Sequence, residues 1–505
     1  MAEGKDGPGS LLTRRVSRRG VIGGSLAAAS LAVTYAALTD PWDLLGGESV
    51  RGDADAIKRE SVKVSHLLRR SGFGVTREEH DYYQSLGLEG TLDVLLNPSR
   101  VDDSETEWLI SQIPPGPGGR ANATLIWLTR MANTKRPLPE KMTLFWHGLL
   151  TSQLSVVRDP DAMLVQNQFF REHAFDAFPA ILRGISTDPA MMVYLNVDGS
   201  NRTSPNENYA RELMELFALG EGNYSEQDVR EAARAFTGWQ VPQQPMAGGT
   251  RKAGEPVFRP QRFDGGTKTF LGRTGNFRPE DIVNIIAEQP AAAAHVTRRL
   301  FSFFVYPEPA ERALKPFVAE YEKSGGNIGT VVEAILRSDV FYSPKAYRSI
   351  VKSPLEYSIG ALKALGMPAI APLLVAGAGP RGGVLANMGQ IPFEPPNVAG
   401  WPGNATWLNS ATMFARLNLL NLATSGGLGR QGPAARTPAP TANLPGGTTA
   451  QALDRFLPLL LDDNLSAEAR QVLLDYGGGP DANLSPNQLR GLAYLVLGSP
   501  QFHLS

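Results

Sequence analysis

The sequence predicts a mainly α-helical protein: one large multi-helix domain with a small β-hairpin excursion near residues 257–271. Helix-start signals recur along the chain, with a capping Ser or Asp directly before a proline. Apolar residues then follow at helical spacing. The chain has 505 residues, 42% of them apolar and 20% charged, which is ordinary for a globular protein with a large core.

The predicted organisation has five segments. They are a signal or anchor at 1–38, a polar spacer at 39–63, the main helical domain at 64–423, a flexible Gly/Pro/Ala/Thr linker at 424–449, and helices at 450–505 that dock on the main domain. The predicted helices, in order, are 91–96, 122–133, 139–150, 160–182, 225–236, 279–288, 291–305, 328–337, 450–461, 467–476 and 486–497. Further helix starts are predicted at Asp188-Pro189 and Ser353-Pro354. The hairpin turn is placed at Asp264-Gly265-Gly266, with an irregular loop as the alternative.

Composition excludes several classes of function. Cysteine is absent, which excludes disulfides, thiolate catalysis, iron–sulfur clusters and Cys-ligated zinc. The 49 basic and 50 acidic residues give a net charge of -1, so no nucleic-acid partner is predicted.

The N-terminus predicts export. Ser17-Arg18-Arg19-Gly20-Val21-Ile22 resembles a twin-arginine signal, and the mildly apolar run Val21 to Leu38 follows it. The protein would pass the twin-arginine translocase to the periplasm or another extracytoplasmic place. It would touch the membrane only if this run stays uncleaved as an anchor. This route transports folded cargo that often takes up a cofactor first, which makes a divalent metal the cofactor to consider.

A polar helix start draws attention to residues 204–220. Ser204 is the predicted N-cap, with Pro205 at the first helical position and a left-handed cap at Gly220. Tyr209, Leu213, Leu216 and Phe217 share one face at 100° per residue, whereas Glu207, Arg211, Glu212 and Glu215 lie on the other. This polar face is either a solvent-exposed row of ion pairs or the lining of a cleft. In a cleft, Glu207 and Glu212 would serve in acid/base chemistry and Arg211 would hold an anion.

Other candidate residues occur singly. His147, in an apolar helix, is either a core residue or a second proton carrier. His66 and Arg69 either bind an anion or anchor a helix end. Trp239, Trp401 and Trp407 offer stacking surfaces for sugars or flat ligands, or else they pack on the core. Asp198 and Asn201 belong to an oxygen-rich loop that would suit calcium, although such turns also occur without metal.

Several blocks of sequence resemble one family, the bacterial exported family called domain of unknown function 1800. The blocks are HLLRRSGFG (66–74), LFWHGL (144–149), PNENYARELMELFALG (205–220), FTGW (236–239), FDGGTKTFLGRTGNF (263–277) and FEPPNVAGWPGNATWLNS (393–410). The resemblance implies export but no established activity. It also implies a genomic neighbour from a sulfatase- or phosphatase-like exported family, which is the partner to expect.

The chain departs from the family pattern at two places. Members usually have a second histidine soon after the Phe-Trp-His block, where this chain has Gly148, Leu149 and Leu150. They also commonly have His-Asp where this chain has Phe263-Asp264. Two functions remain open: a hydrolase-like enzyme of the cell envelope with a carboxylate/Arg/His site, or a non-catalytic helical scaffold or binding partner of the neighbouring exported protein.

Overall fold

The computed structural model describes residues 51–116, 122–245, 251–367, 383–424 and 446–505. The predicted fold class is confirmed, because helices make up most of these residues and the strands are few and short. The predicted signal (1–38) lies outside the described residues, as does most of the predicted linker (424–449). Within the described ranges, no helix combines the length and apolar character that crossing a membrane requires.

The helices follow one another along the whole chain. Their bounds are Glu60–Ser71, Arg77–Leu96, Ser104–Ser111, Ala123–Asn133, Pro137–Leu149, Leu154–Val157, Pro160–Glu172, Phe178–Ser186, Pro189–Tyr194, Asn208–Glu212, the π-helix Leu213–Ala218, Glu226–Ala235, Pro279–Ala287, Pro290–Phe304, Glu311–Lys323, Ile328–Arg337, Pro354–Ala364, Val384–Asn387, Ser410–Thr424, Thr449–Leu461, Ala467–Gly477 and Pro486–Leu497.

Capping explains many of these starts. Ser225, Ser353 and Ser485 each cap a helix with the side chain three residues later completing the capping box, and Asp188 accepts from Met191 N–H, as predicted. One prediction is wrong: the helix placed at 160–182 is two helices. The first ends with His173 as its C-cap, and Pro179 occupies the first turn of the second, where a proline fits.

The strands form three small antiparallel pairs. Trp239–Gln240 pairs with Val257–Phe258, Gln243–Pro245 with Arg251–Ala253, and Lys268–Phe270 with Arg273–Gly275. The small β excursion is therefore present, but its tight turn is at Leu271-Gly272, both at positive φ, rather than at Asp264–Gly266. Asp264 instead accepts two hydrogen bonds from the guanidinium of Arg234, at 2.7 and 3.1 Å.

The helix predicted from Ser204 begins later, at Asn208 with Glu207 as its N-cap, so the N-cap predicted at Ser204 is wrong. Side-chain oxygens hold the preceding residues in turns: Asn201 Oδ1 accepts from the N–H groups of Thr203 and Ser204, and Asn206 Oδ1 accepts from Asn208 N–H. Such local bonds compete with helix formation. The predicted left-handed conformation at Gly220 is confirmed, with φ +81°.

The Pro137–Leu149 helix lies between two large apolar clusters. Its Phe145 and Trp146 belong to a cluster formed mainly by the helices between residues 178 and 337. Its Leu144 belongs to a second cluster that includes the helices Ala123–Asn133, Pro354–Ala364, Ser410–Thr424, Thr449–Leu461 and Pro486–Leu497. This helix is packed on two sides, which makes it a rigid support for the groups that it contacts.

Candidate functional site: an aromatic cavity with two arginines

A cavity of about 540 Å³ opens beside the C-terminal half of the Pro137–Leu149 helix. The Pro290–Phe304 helix forms the opposite wall, and the loop 401–407 forms a third. The lining side chains come mainly from these elements: Leu144, Phe145, Arg298, Arg299, Ser302, Phe303, Trp401, Asn404 and Trp407, with Ser353, Glu356 and Gln390. A cavity of this size suits a small-molecule ligand.

The two helical walls are held together by aromatic packing. Gly148 lies four residues after Leu144 and three after Phe145, so it shares a helix face with both, and Arg299 and Phe303 share one on the other helix. Phe145 and Phe303 meet edge to face, with ring centroids 5.3 Å apart. Since aromatic pairs favour this arrangement, the contact fixes the spacing of the two helices at the cavity.

The loop wall comes unusually close to the helix that supports it. Gly400 has φ +78°, and a Cβ at this position would lie 2.2 Å from the carbonyl oxygen of Gly148. Asn404 Oδ1 accepts the N–H of Val351 at 3.0 Å, and Thr151 donates its hydroxyl to Val398 O at 2.5 Å. These contacts place Trp401 and Trp407 in the cavity wall. The cavity leaves space for a ligand beside both indoles, as the predicted stacking role requires.

His147 lies directly behind this wall. Its ring contacts Trp127, Phe393 and Trp401, with centroids 5.2, 5.4 and 5.7 Å away. Burial lowers its pKa to about 3, so the imidazole is neutral at pH 7. Its Nε2 and Trp401 Nε1 are buried with no hydrogen-bond partner among the described residues. A proton carrier working near neutrality needs a higher pKa than this, and that role for His147 stays a prediction.

The two adjacent arginines of the cavity have different surroundings. Arg298 donates to Pro309 O at 3.0 Å and forms an ion pair with Glu311. Arg299 makes no hydrogen bond or ion pair with any described residue, and its side chain is accessible to water. Desolvation lowers its pKa, with no contribution from an acidic neighbour. Arg299 is thus a cation inside a concavity that no carboxylate of the described chain neutralises.

Glu356 is the buried carboxylate of the cavity. It accepts from the N–H of Ser353 at 2.6 Å and forms an ion pair with the buried Lys141. Burial by itself would raise the pKa of Glu356, but Lys141 and the bonds from Ser353 hold it below its usual value. Glu356 is therefore an ionised carboxylate whose charge is already balanced by Lys141.

A model of one protein family matches residues 66–504, and its description is "Protein of unknown function (DUF1800)". This chain belongs to the DUF1800 family. No curated protein and no solved structure matches it. The membership that the sequence blocks predicted is thereby confirmed, and two of those blocks, 144–149 and 393–410, supply residues of the cavity wall.

The polar helix face of the DUF1800 chain does not line this cavity. Arg211 forms ion pairs with Glu207 at 3.2 Å and with Glu226 at 2.7 Å, and the side chains of Glu207 and Glu226 are 41% and 64% exposed. Glu207 and Arg211 therefore form an exposed row of ion pairs, which was one of the two interpretations, and neither of them lines the cavity. A catalytic role for them with His147 stays a prediction.

Glu212 differs from its neighbours on the same helix. It makes no hydrogen bond or ion pair with any described residue. Burial, then the charge of Glu215, raises its pKa. The pKa of Tyr194 is raised by burial and by the charges of Glu212 and Glu394, which places these three groups near one another. Glu212 is thus a predicted site carboxylate whose burial favours the protonated form.

Arg69 binds a carboxylate of the same chain, that of Asp462. Its guanidinium donates to both oxygens of Asp462, at 2.6 and 2.9 Å, and Tyr347 donates to the same carboxylate at 2.7 Å. His66 is fully buried, with its Nε2 3.0 Å from Phe341 O. Both residues connect the Glu60–Ser71 helix to distant parts of the chain, and a ligand-binding role for them stays a prediction.

The remaining candidates lie apart from the cavity. Trp239 packs edge to face against Phe258, with centroids 5.4 Å apart. Asp198 accepts from Gln243 at 3.2 Å, and burial raises its pKa. Asn201 uses its oxygen within its own turn. In the described part of the DUF1800 chain, no group of three or more His, Asp or Glu residues has the arrangement of a metal site.

Sequence reasoning missed Arg299 and Glu356. The signal for Arg299 was the pair Arg298-Arg299 in an otherwise apolar helix, PAAAAHVTRRLFSFF. No sequence signal selects Glu356, because it is also the residue that completes the capping box of Ser353. A carboxylate in a capping box has an ordinary local explanation, so only the tertiary structure shows that it also faces a cavity.

Proposed function

We propose that this DUF1800 chain is a helical binding protein that holds a small molecule with a flat or sugar-like ring in the cavity beside Trp401 and Trp407. The supporting observation is the cavity itself: about 540 Å³ in volume, walled by two indoles and two phenylalanines, with polar groups at separate points. This combination of apolar walls and few polar groups is typical of ligand sites.

The test is calorimetry and thermal-shift measurement with a set of ring compounds, including indole derivatives, benzoates and monosaccharides. Trp401→Ala should weaken the binding of any compound that binds. Trp108→Ala is the matched control, because Trp108 is 61% exposed and does not line the cavity. Binding that is equal in the wild type and in Trp401→Ala would reject the proposal, as would a set in which nothing binds.

An enzymatic function, hydrolase-like and in the cell envelope, is the second candidate, and Glu212 is the observation that favours it. A half-buried carboxyl with a raised pKa and no partner among the described residues is suited to general acid chemistry. The test is a screen with chromogenic glycosides and esters, comparing Glu212→Gln with the exposed control Glu221→Gln. Activity that survives in Glu212→Gln would exclude this role.

We further propose that the protein is exported by the twin-arginine route and works beside a sulfatase- or phosphatase-like exported protein. The support is the sequence Ser17-Arg18-Arg19-Gly20-Val21-Ile22 and the family's usual genomic neighbour. Replacing Arg18 and Arg19 with lysine should abolish export of a reporter fused to residues 1–45. Export that persists would contradict the route, and failure of the two proteins to co-elute when produced together would contradict the partnership.

A further inference from the structure

Arg299 and Arg298 are consecutive in sequence but differ in what they bind. Arg298 has a carbonyl and a carboxylate as partners, Pro309 O and Glu311. Arg299 has neither among the described residues, although it lies in the wall of the same cavity. A guanidinium offers five N–H donors in a fixed plane, and here all of them remain free for a ligand.

The acidic residues that line the cavity do not serve as the partner of Arg299. Glu356 is bound by Lys141 and by Ser353 N–H. Glu308 also lines the cavity, but among the described residues it forms no ion pair with Arg299. Arg299 is therefore a water-accessible guanidinium in the cavity wall without a counter-charge, and an incoming anion can bind it through charge-assisted hydrogen bonds.

The charge count of the walls limits the ligand to one negative charge. One guanidinium is free, and Glu308, which lines the same cavity, would repel a second negative charge. A carboxylate also matches the guanidinium geometrically, because its two oxygens accept two parallel N–H bonds. The indoles of Trp401 and Trp407 supply the apolar surface for the remainder of the molecule.

We propose that the cavity recognises a small ring-bearing monocarboxylate, with Arg299 binding the carboxylate and Trp401 and Trp407 contacting the ring. This inference rests on the proposed binding function and specifies its ligand class. It makes Arg299 the residue that determines specificity, a role that the amino-acid sequence did not reveal.

The test compares two probes that share a ring and differ in charge, indole-3-acetate and its neutral amide, by calorimetry on the full-length protein. We expect the acid to bind about tenfold more tightly than the amide, because only the acid forms charge-assisted hydrogen bonds with the guanidinium. Arg299→Gln should remove this ratio and leave affinity for the amide unchanged. Arg299→Lys keeps the charge but not the planar fork, so it should retain part of the ratio.

Arg312→Gln is the matched control, because Arg312 is exposed on the neighbouring Glu311–Lys323 helix and does not line the cavity. It should leave the ratio unchanged. If acid and amide bind equally, or if Arg299→Gln keeps the ratio, the inference is overturned while the binding function stands. If a phosphate monoester of the same ring binds more tightly than the acid, the limit of one charge is overturned. If no probe binds, the proposed function itself fails.

Discussion

The imidazole of His147 lies 5.7 Å from the indole of Trp401, measured between ring centroids. Trp401 borders the cavity, whereas His147 is buried on the far side of that indole. The histidine therefore supports the cavity wall and does not face its contents. The following consequences for stability and binding can be measured.

His147 should weaken the fold at acid pH. Its folded-state pKa of about 3 lies below the ordinary value of 6.5, so below pH 6.5 the unfolded chain takes up a proton that the folded chain refuses. Stability then falls as pH falls, by about 1.4 kcal/mol per pH unit for one such group. In His147→Gln, the free energy of unfolding measured with urea should depend less steeply on pH, by this amount, between pH 6 and pH 4.

The exposed His173 provides the control for this measurement. His173→Gln should keep the acid dependence of the wild type. Because burial also lowers the pKa of His66, His295 and His503, the dependence should persist in part in His147→Gln. An unchanged slope in His147→Gln would show that this imidazole titrates normally in the folded protein.

Asp188 should weaken the fold at higher pH. Burial raises its pKa from 3.8 to about 7, so the folded protein holds a proton that the unfolded chain releases. Stability falls as pH rises from about 4 to about 7, and the loss is complete above that range. Asp188→Asn keeps an oxygen for Gln166 and Met191 N–H but cannot ionise. It should gain about 2–4 kcal/mol relative to the wild type between pH 4.5 and pH 8, measured by urea unfolding. The exposed Asp475→Asn should show no such gain.

Asp462 should be among the most sensitive positions for folding. Its carboxylate is fully buried between Arg69 and Arg348, and these cations, outweighing burial, lower its pKa to about 2. Asp462→Asn leaves two buried guanidinium groups without their anion, at a cost of about 3–5 kcal/mol. The exposed pair Lys58–Asp55 is the control, and Asp55→Asn should cost less than about 1 kcal/mol. Equal losses of thermal midpoint in the two variants would contradict a structural role for the buried pair.

Alanine substitutions at Gly400 and Gly403 would distinguish the cost of backbone strain from the cost of a steric clash. Both have positive φ, but only at Gly400 would a Cβ meet a backbone atom, the oxygen of Gly148 at 2.2 Å. Gly403→Ala should cost about 1–3 kcal/mol through its backbone conformation alone, because φ 73° with ψ 179° is a region that only glycine readily adopts. Gly400→Ala should cost more and should also weaken binding in the cavity, because the loop must shift with Trp401. Thermal midpoints and ring-compound affinities of both variants provide the comparison, and equal effects would refute the close approach.

The local features of this chain were predictable where the signal is local. Ser225, Ser353 and Ser485 cap their helices as expected, because a capping box depends on residues within four positions. The same reasoning failed at Ser204, where Asn201 and Asn206 offered the backbone competing side-chain partners. It failed again at 160–182, since a regular apolar pattern does not reveal an interruption at His173.

The sequence by itself determined the family, the helical class, the absence of thiol chemistry and the residue types available to a site. Only the tertiary structure decided which of those residues share a cavity. Arg69 forms an ion pair with Asp462, 393 residues away in sequence, whereas Arg299 forms none with any described residue. The physical reason is that charge and hydrogen-bond pairing depend on distance in space. Helical periodicity fixes the face on which a side chain lies but not what the fold places opposite it.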